Sequence, residues 1–101
     1  MPQFDVYRTR GTSTYSLLVD IQADVHARLT TRVVVPLVAR ARYAQPATRL
    51  TPVMTVRDED YIALFPLAGA IPKASLGAFI GSLAAQRTTL ISALDLLIAG
   101  S

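Results

Sequence analysis

The chain has 101 residues, 51% hydrophobic and 17% charged, with a formal net charge of +3. That length makes one domain, residues 1–101, with apolar surplus enough for an interface, so a homodimer is expected. The absence of cysteine removes disulfide frameworks, Cys metal sites and thiol nucleophiles, and fits a cytoplasmic location.

In chain order, "QFDVYRT" alternates Phe4 and Val6 with polar neighbours and predicts a first strand. "GTST" is a turn cluster, and "YSLLVDIQAD" predicts a second strand buried from Leu17 to Ile21. The β-branched run "TRVVVPLV" predicts a third strand, which Pro36 should confine to an edge, a bulge or a strand end. Residues 39–51 are polar, carry Arg40, Arg42, Arg49 and a proline, and predict an exposed loop. "PVMTV" and "YIALF" flank "RDED" as a hairpin with an acidic turn, and "PLAGAIPKASLG" predicts a short strand or bend. After Gly77 the period changes. Leu83, Arg87, Leu90, Ile91, Leu94, Leu97 and Ile98 recur at helical spacing, with Gly81–Ser82 at the start and Gly100 at the stop. The expected class is mainly β: an antiparallel sheet closed by one C-terminal α-helix.

Little catalytic chemistry is available. His26 is the single histidine; Asp24 or a distant hydroxyl could pair with it, but a loop histidine is the simpler reading. Asp58, Glu59 and Asp60 offer carboxylates to a hard cation, yet adjacent side chains in extended structure point apart, so no metal or cofactor is expected. No glycine-rich phosphate loop has the required spacing. The ten basic residues, nine of them Arg, scatter rather than cluster among aromatics as in nucleic-acid binders, apart from the pairs Arg8/Arg10 and Arg40/Arg42. At i, i+2 spacing each pair points to one side, which suits solubility or the anchoring of acidic groups. The opening residues lack a signal-peptide pattern, and the apolar run 88–99 is too short for a membrane helix and holds Asp95. No membrane partner is expected.

The ending "ALDLLIAGS" is unusual for a terminal helix, because its last turn has no basic residue to complement the exposed carbonyls. "QFDVY", "YSLLVDIQAD", "TRVVVPLV", "LTPVMTV", "AIPKASLG" and "ISALDLLIAG" occur in the order and spacing of the CcdB family, which the whole chain resembles. The resemblance implies a CcdB/MazF-type, SH3-like barrel. It also implies the toxin of a plasmid or chromosomal toxin–antitoxin module. Such toxins are homodimers, not enzymes, that bind the A subunit of DNA gyrase and trap it on cleaved DNA. A CcdA-type antitoxin neutralises them, and the complex represses its own operon, so the toxin meets DNA only through its antitoxin.

Carried onto this sequence, the gyrase-binding positions are Val25, His26, Asp95, Ile98, Ala99, Gly100 and Ser101. The acidic antitoxin arm would pair with Arg8, Arg10, Arg40, Arg42 and Arg49. The chain departs from the family's best-known member, which has Trp third from the end and Ile last. Here Ala99 and Ser101 stand there, no Trp occurs anywhere, and His26 replaces a usually apolar residue. Loss of an aromatic anchor weakens or redistributes a contact. Two alternatives follow. One is a degenerate module that binds antitoxin without harming gyrase. The other is a MazF-like ribonuclease, for which Arg57 with Asp58 and Asp60 is the available cluster.

Overall fold

The alternating "QFDVYRT" and the apolar runs of "YSLLVDIQAD" and "TRVVVPLV" fold into adjacent antiparallel strands in the computed structural model, which describes residues 2–11, 13–26 and 28–100. Strands β1 (Asp5–Thr9), β2 (Leu17–Asp20) and β3 (Thr31–Ala39) lie side by side. β4 (Val53–Val56) and β5 (Glu59–Ala63) form a hairpin on β3, and β6 (Gly69–Pro72) pairs with the other half of β3. β7 (Leu76–Ser82) pairs with β1, giving the order β4-β5-β3-β2-β1-β7. All pairings are antiparallel, and helix α1 (Arg87–Ala99) follows.

Inward side chains of β1 to β5 and β7, Val6, Val19, Val35 and Met54 among them, build one core with Phe65 and Leu83 from the segments that follow β5 and β7. α1 closes it by burying Leu90 and Ala93 and half-burying Ile91, Leu94 and Leu97. Ile98 departs from the expected apolar stripe: it is 75% exposed. A smaller cluster of Leu18, Val34 and Leu76 lies beside Tyr7 and Ile71.

Several expectations need correction. Pro36 sits inside a central strand, not at an edge or end. β3 changes partner there: β6 pairs through Val34 and β5 begins at Leu37. The carbonyl of Pro36 accepts the Leu64 N–H at 3.0 Å from this same side. A strand residue points its N–H and C=O the same way, so the missing donor falls in the gap between β5 and β6. The β4–β5 turn is Arg57–Asp58, both at positive φ (50° and 64°), so Glu59 and Asp60 belong to β5 and not to the turn.

Residues 76–82, placed at the approach to the helix, are instead β7; a 3-10 turn over Ala84–Gln86 intervenes and α1 begins at Arg87. β7 is irregular. Val6 faces Gly81 while Tyr7 faces Phe79, which leaves Ile80 as an extra residue in a bulge. Arg57 Nε donates to the Ile80 carbonyl at 2.8 Å. Gln86 takes both backbone groups of Thr55: its Oε1 accepts the N–H at 3.1 Å and its Nε2 donates to the carbonyl at 2.9 Å. Side chains therefore close the seam between β4 and the β7 end, where a bare edge would invite another strand.

Candidate functional site

The helix end is the first candidate surface. α1 stops at Gly100, whose φ of +78° is a left-handed cap and whose N–H reaches the Leu96 carbonyl at 3.0 Å. Because the core-facing stripe runs through Leu90, Ala93, Leu94 and Leu97, the opposite side carries Asp95, Ile98 and Ala99, all exposed together with Gly100. The last turn holds no basic residue. Ser101 lies outside the described residues.

Val25 and His26 form, with Asp24, a 3-10 turn after β2. Val25 is 82% exposed, an apolar knob held up to solvent, and His26 is described by its backbone alone. What holds the knob is a polar lattice that sequence reasoning missed. Asp20 and Arg32 are fully buried and paired, Nε to Oδ2 at 2.9 Å. Arg32 Nη2 donates to the Gln22 carbonyl at 3.1 Å, the Gln22 N–H reaches Asp20 Oδ1 at 3.0 Å, and Gln22 Oε1 accepts the Val33 N–H at 2.9 Å. Asp24 Oδ1 accepts the Gln3 N–H, and Gln3 Oε1 accepts Arg87 Nη1 at 3.0 Å. Arg87 is also 5.4 Å from the Phe4 ring centroid.

These bonds tie the Val25 turn to the first turn of α1. The exposed tip lies at the far end of the helix, about 18 Å along its axis at 1.5 Å per residue. The described hydrogen bonds thus do not join Val25 and His26 to the tip residues.

The arginines divide differently from the sequence pairs. Arg8, Ser16, Leu17, Val56, Arg57, Glu59, Tyr61 and Ile80 line one cleft. Thr14, Tyr15, Ser16, Leu37 to Ala39, Arg42 and Tyr61 line a second, so the two share Ser16 and Tyr61. A shallower depression beside Ala39 and Glu59 adds Arg40, Ala41 and Asp60. The first two clefts thus adjoin at Tyr61 and bring Arg8, Arg42 and Arg57 together, and the depression that holds Arg40 meets them through Ala39 and Glu59. Arg10 lines none of these clefts, and Arg49 is turned to the helix, its Nε donating to Ser92 Oγ at 2.9 Å.

Burial, chiefly, pushes the Tyr61 phenol above its usual range; the Glu59 carboxylate, which accepts its hydroxyl at 3.3 Å, adds to this and Arg8 opposes it. Asp60 accepts from Thr55 Oγ1 at 2.9 Å. Arg57 is drawn to the Ile80 carbonyl, and among the described residues no three His, Asp or Glu side chains converge as a metal site. No helix among the described residues is long and apolar enough to cross a membrane.

Two solved structures share this architecture. One is described as "Endoribonuclease in complex with its cognate antitoxin from Mycobacterial species": TM-score 0.79, 15% identity, covering 98% of this chain and 95% of that one. The other, "Endoribonuclease from Mycobacterial species", has TM-score 0.78 and 16% identity, covering 98% and 91%. At such identity the likeness is one of fold. The family model described as "CcdB protein" matches residues 3–100, nearly the whole length and every element from β1 to α1. By that match the chain belongs to the CcdB family, the toxins of toxin–antitoxin modules.

Proposed function

We propose that the chain is a non-enzymatic toxin that grips the A subunit of DNA gyrase with the end of α1 and holds gyrase on cleaved DNA. The observation that supports this most is the exposed apolar helix end. Ile98 stands 75% exposed beside Asp95, Ala99 and Gly100, on a helix whose other face is fixed in the core. A rigid helix that keeps a large aliphatic side chain in water is suited to protein recognition, because little order is lost on docking. Val25 and His26 join this surface across a homodimer, where the turn of one copy approaches the tip of the other. With Ala99 in place of an aromatic, Ile98 and Val25 supply the apolar contact.

An acidic antitoxin arm of the CcdA type would neutralise the toxin. The groove around Tyr61 supports that reading for Arg8, Arg40 and Arg42, whereas Arg49 is engaged with Ser92 and Arg10 is outside the groove. Direct binding to purified gyrase A subunit, by calorimetry, tests the proposal. Wild-type protein should bind and Ile98→Ser should bind at least tenfold more weakly. Equal binding by both would remove the helix end from the contact.

A further inference from the structure

In the sequence the basic residues are dispersed, which argued against direct contact with nucleic acid. The fold reverses that argument. Arg8 comes from β1, Arg40 and Arg42 from the 3-10 turn after β3, and Arg57 from the β4–β5 turn, yet all four line clefts that adjoin one another through shared residues. Tyr61 stands between Arg8 and Arg42 and is shared by both clefts, with half-buried Tyr15 beside it. Cations alternating with aromatic faces along a channel are the two parts a single-stranded polynucleotide needs: charge for the phosphates and rings for the unstacked bases.

From this we infer that the groove running from Arg8 past Tyr61 to Arg42 and Arg40 binds a single-stranded polynucleotide, its phosphates on the arginines and one base on Tyr61. The acids along the groove do not cancel the charge. Glu59 and Asp60 are two carboxylates among four arginines, so the lining stays net positive, and the Tyr61 and Thr55 hydroxyls fix where the two acids sit. Arg57 donates its Nε to the Ile80 carbonyl, so it forms the groove wall and fixes the β7 bulge beside Arg8. Ser16, shared by both clefts and exposed just before β2, adds a hydroxyl where they adjoin. This site is separate from the helix end and stands whether or not gyrase is the target. It would also set nucleic acid and an acidic antitoxin arm in competition for the same arginines.

The test is fluorescence anisotropy with a short labelled oligouridylate, the matching oligothymidylate and a duplex of the same length. Both single strands should bind and the duplex more weakly, because its bases are paired and cannot stack on Tyr61. If RNA alone binds, the ligand is RNA; if both bind, the groove reads the shared phosphodiester chain. With three phosphates on Arg8, Arg40 and Arg42, raising salt from about 50 to about 200 mM should weaken binding about 20-fold, from a slope of about −0.7 per phosphate. Arg8→Ala and Arg42→Ala should each lower that slope by about 0.7. Tyr61→Leu should lose about 5- to 150-fold, and Tyr61→Phe should keep the stack and most of the affinity. Glu59→Gln should tighten binding by removing a like charge from the path of the phosphates. Arg28→Ala, on an exposed position outside the groove, controls for diffuse charge. The inference is overturned if no single strand binds at low salt. It is equally overturned if Arg28→Ala weakens binding as much as Arg8→Ala, or if Tyr61→Leu binds as wild type while folded by circular dichroism.

Discussion

Replacing Arg32 by Met tests how the buried polar lattice holds the fold and the Val25 turn. Arg32 and Asp20 are both fully buried, so their ion pair is little screened by water. Removing the guanidinium breaks the 2.9 Å bond to Asp20 and the 3.1 Å bond to the Gln22 carbonyl. Asp20 keeps the Gln22 N–H but is left as an uncompensated buried carboxylate. Breaking a buried pair from one side costs about 3–5 kcal/mol. A domain of this length has a total stability of about 5–15 kcal/mol. Arg32→Met should therefore lower Tm by roughly 12 °C or more, at about 4–8 °C per kcal/mol, in differential scanning calorimetry at neutral pH. The double variant Asp20→Leu with Arg32→Met removes both charges and should recover most of the loss, since an apolar replacement of a buried pair is commonly neutral or stabilising. A single Arg32→Met variant that loses less than about 1 kcal/mol would refute this reasoning, because it would mean Asp20 is solvated or paired elsewhere.

Gly77 is required by packing: a Cβ there would lie 2.8 Å from the Arg8 carbonyl oxygen. Gly77→Ala should cost about 1–3 kcal/mol in urea denaturation by pushing β7 off β1. Asp5 is buried, and its pKa is raised above 3.8 by that burial first, with the charge of Asp20 also raising it and the bond from Ser82 opposing. A raised carboxyl costs stability as pH climbs through its folded pKa and costs nothing below 3.8, where both states are protonated. Asp5→Asn, which keeps an acceptor for Ser82, should therefore be more stable than wild type at neutral pH, and the gap in Tm should close on acidification. Ile98→Ser, at an exposed site, should change stability by less than about 0.5 kcal/mol while abolishing any effect on gyrase.

Much of the fold was legible because β1 alternates, β2 and β3 are apolar runs bounded by turn residues, and helical spacing survives in α1. β7 was hidden because "LGAFIGS" contains two glycines, which blur a period of two and resemble a helix approach. The glycines answer to neighbours far away in sequence: Gly77 to the Arg8 carbonyl, and Gly81 to Val56. Pro36 misled for a similar reason, since its tolerance depends on where β3 exchanges β6 for β5. The helix end was readable from its missing basic residue and its run of Leu96, Leu97 and Ile98.

The groove was not readable, because Arg8, Arg42 and Arg57 meet only when β1, the turn after β3 and the β4–β5 turn converge. Composition along the chain contains no trace of that convergence. The Asp20–Arg32 pair did leave a signal: each is a charge within an otherwise apolar run, "LLVDI" and "TRVVV", on the face of Leu18 and Val34. The register sets Asp20 opposite Val34, so Arg32 is its diagonal neighbour across β2 and β3. A charge in a buried phase is a prompt to look for its partner on the adjoining strand.

The most direct measurement of the account is DNA cleavage by purified gyrase in the presence of this protein. The helix-end reading predicts that linear DNA accumulates with wild-type protein, that supercoiling falls, and that Ile98→Ser does neither although it folds as wild type. Unchanged supercoiling and no linear DNA at saturating protein would contradict it, leaving a CcdB-family fold that does not act on gyrase.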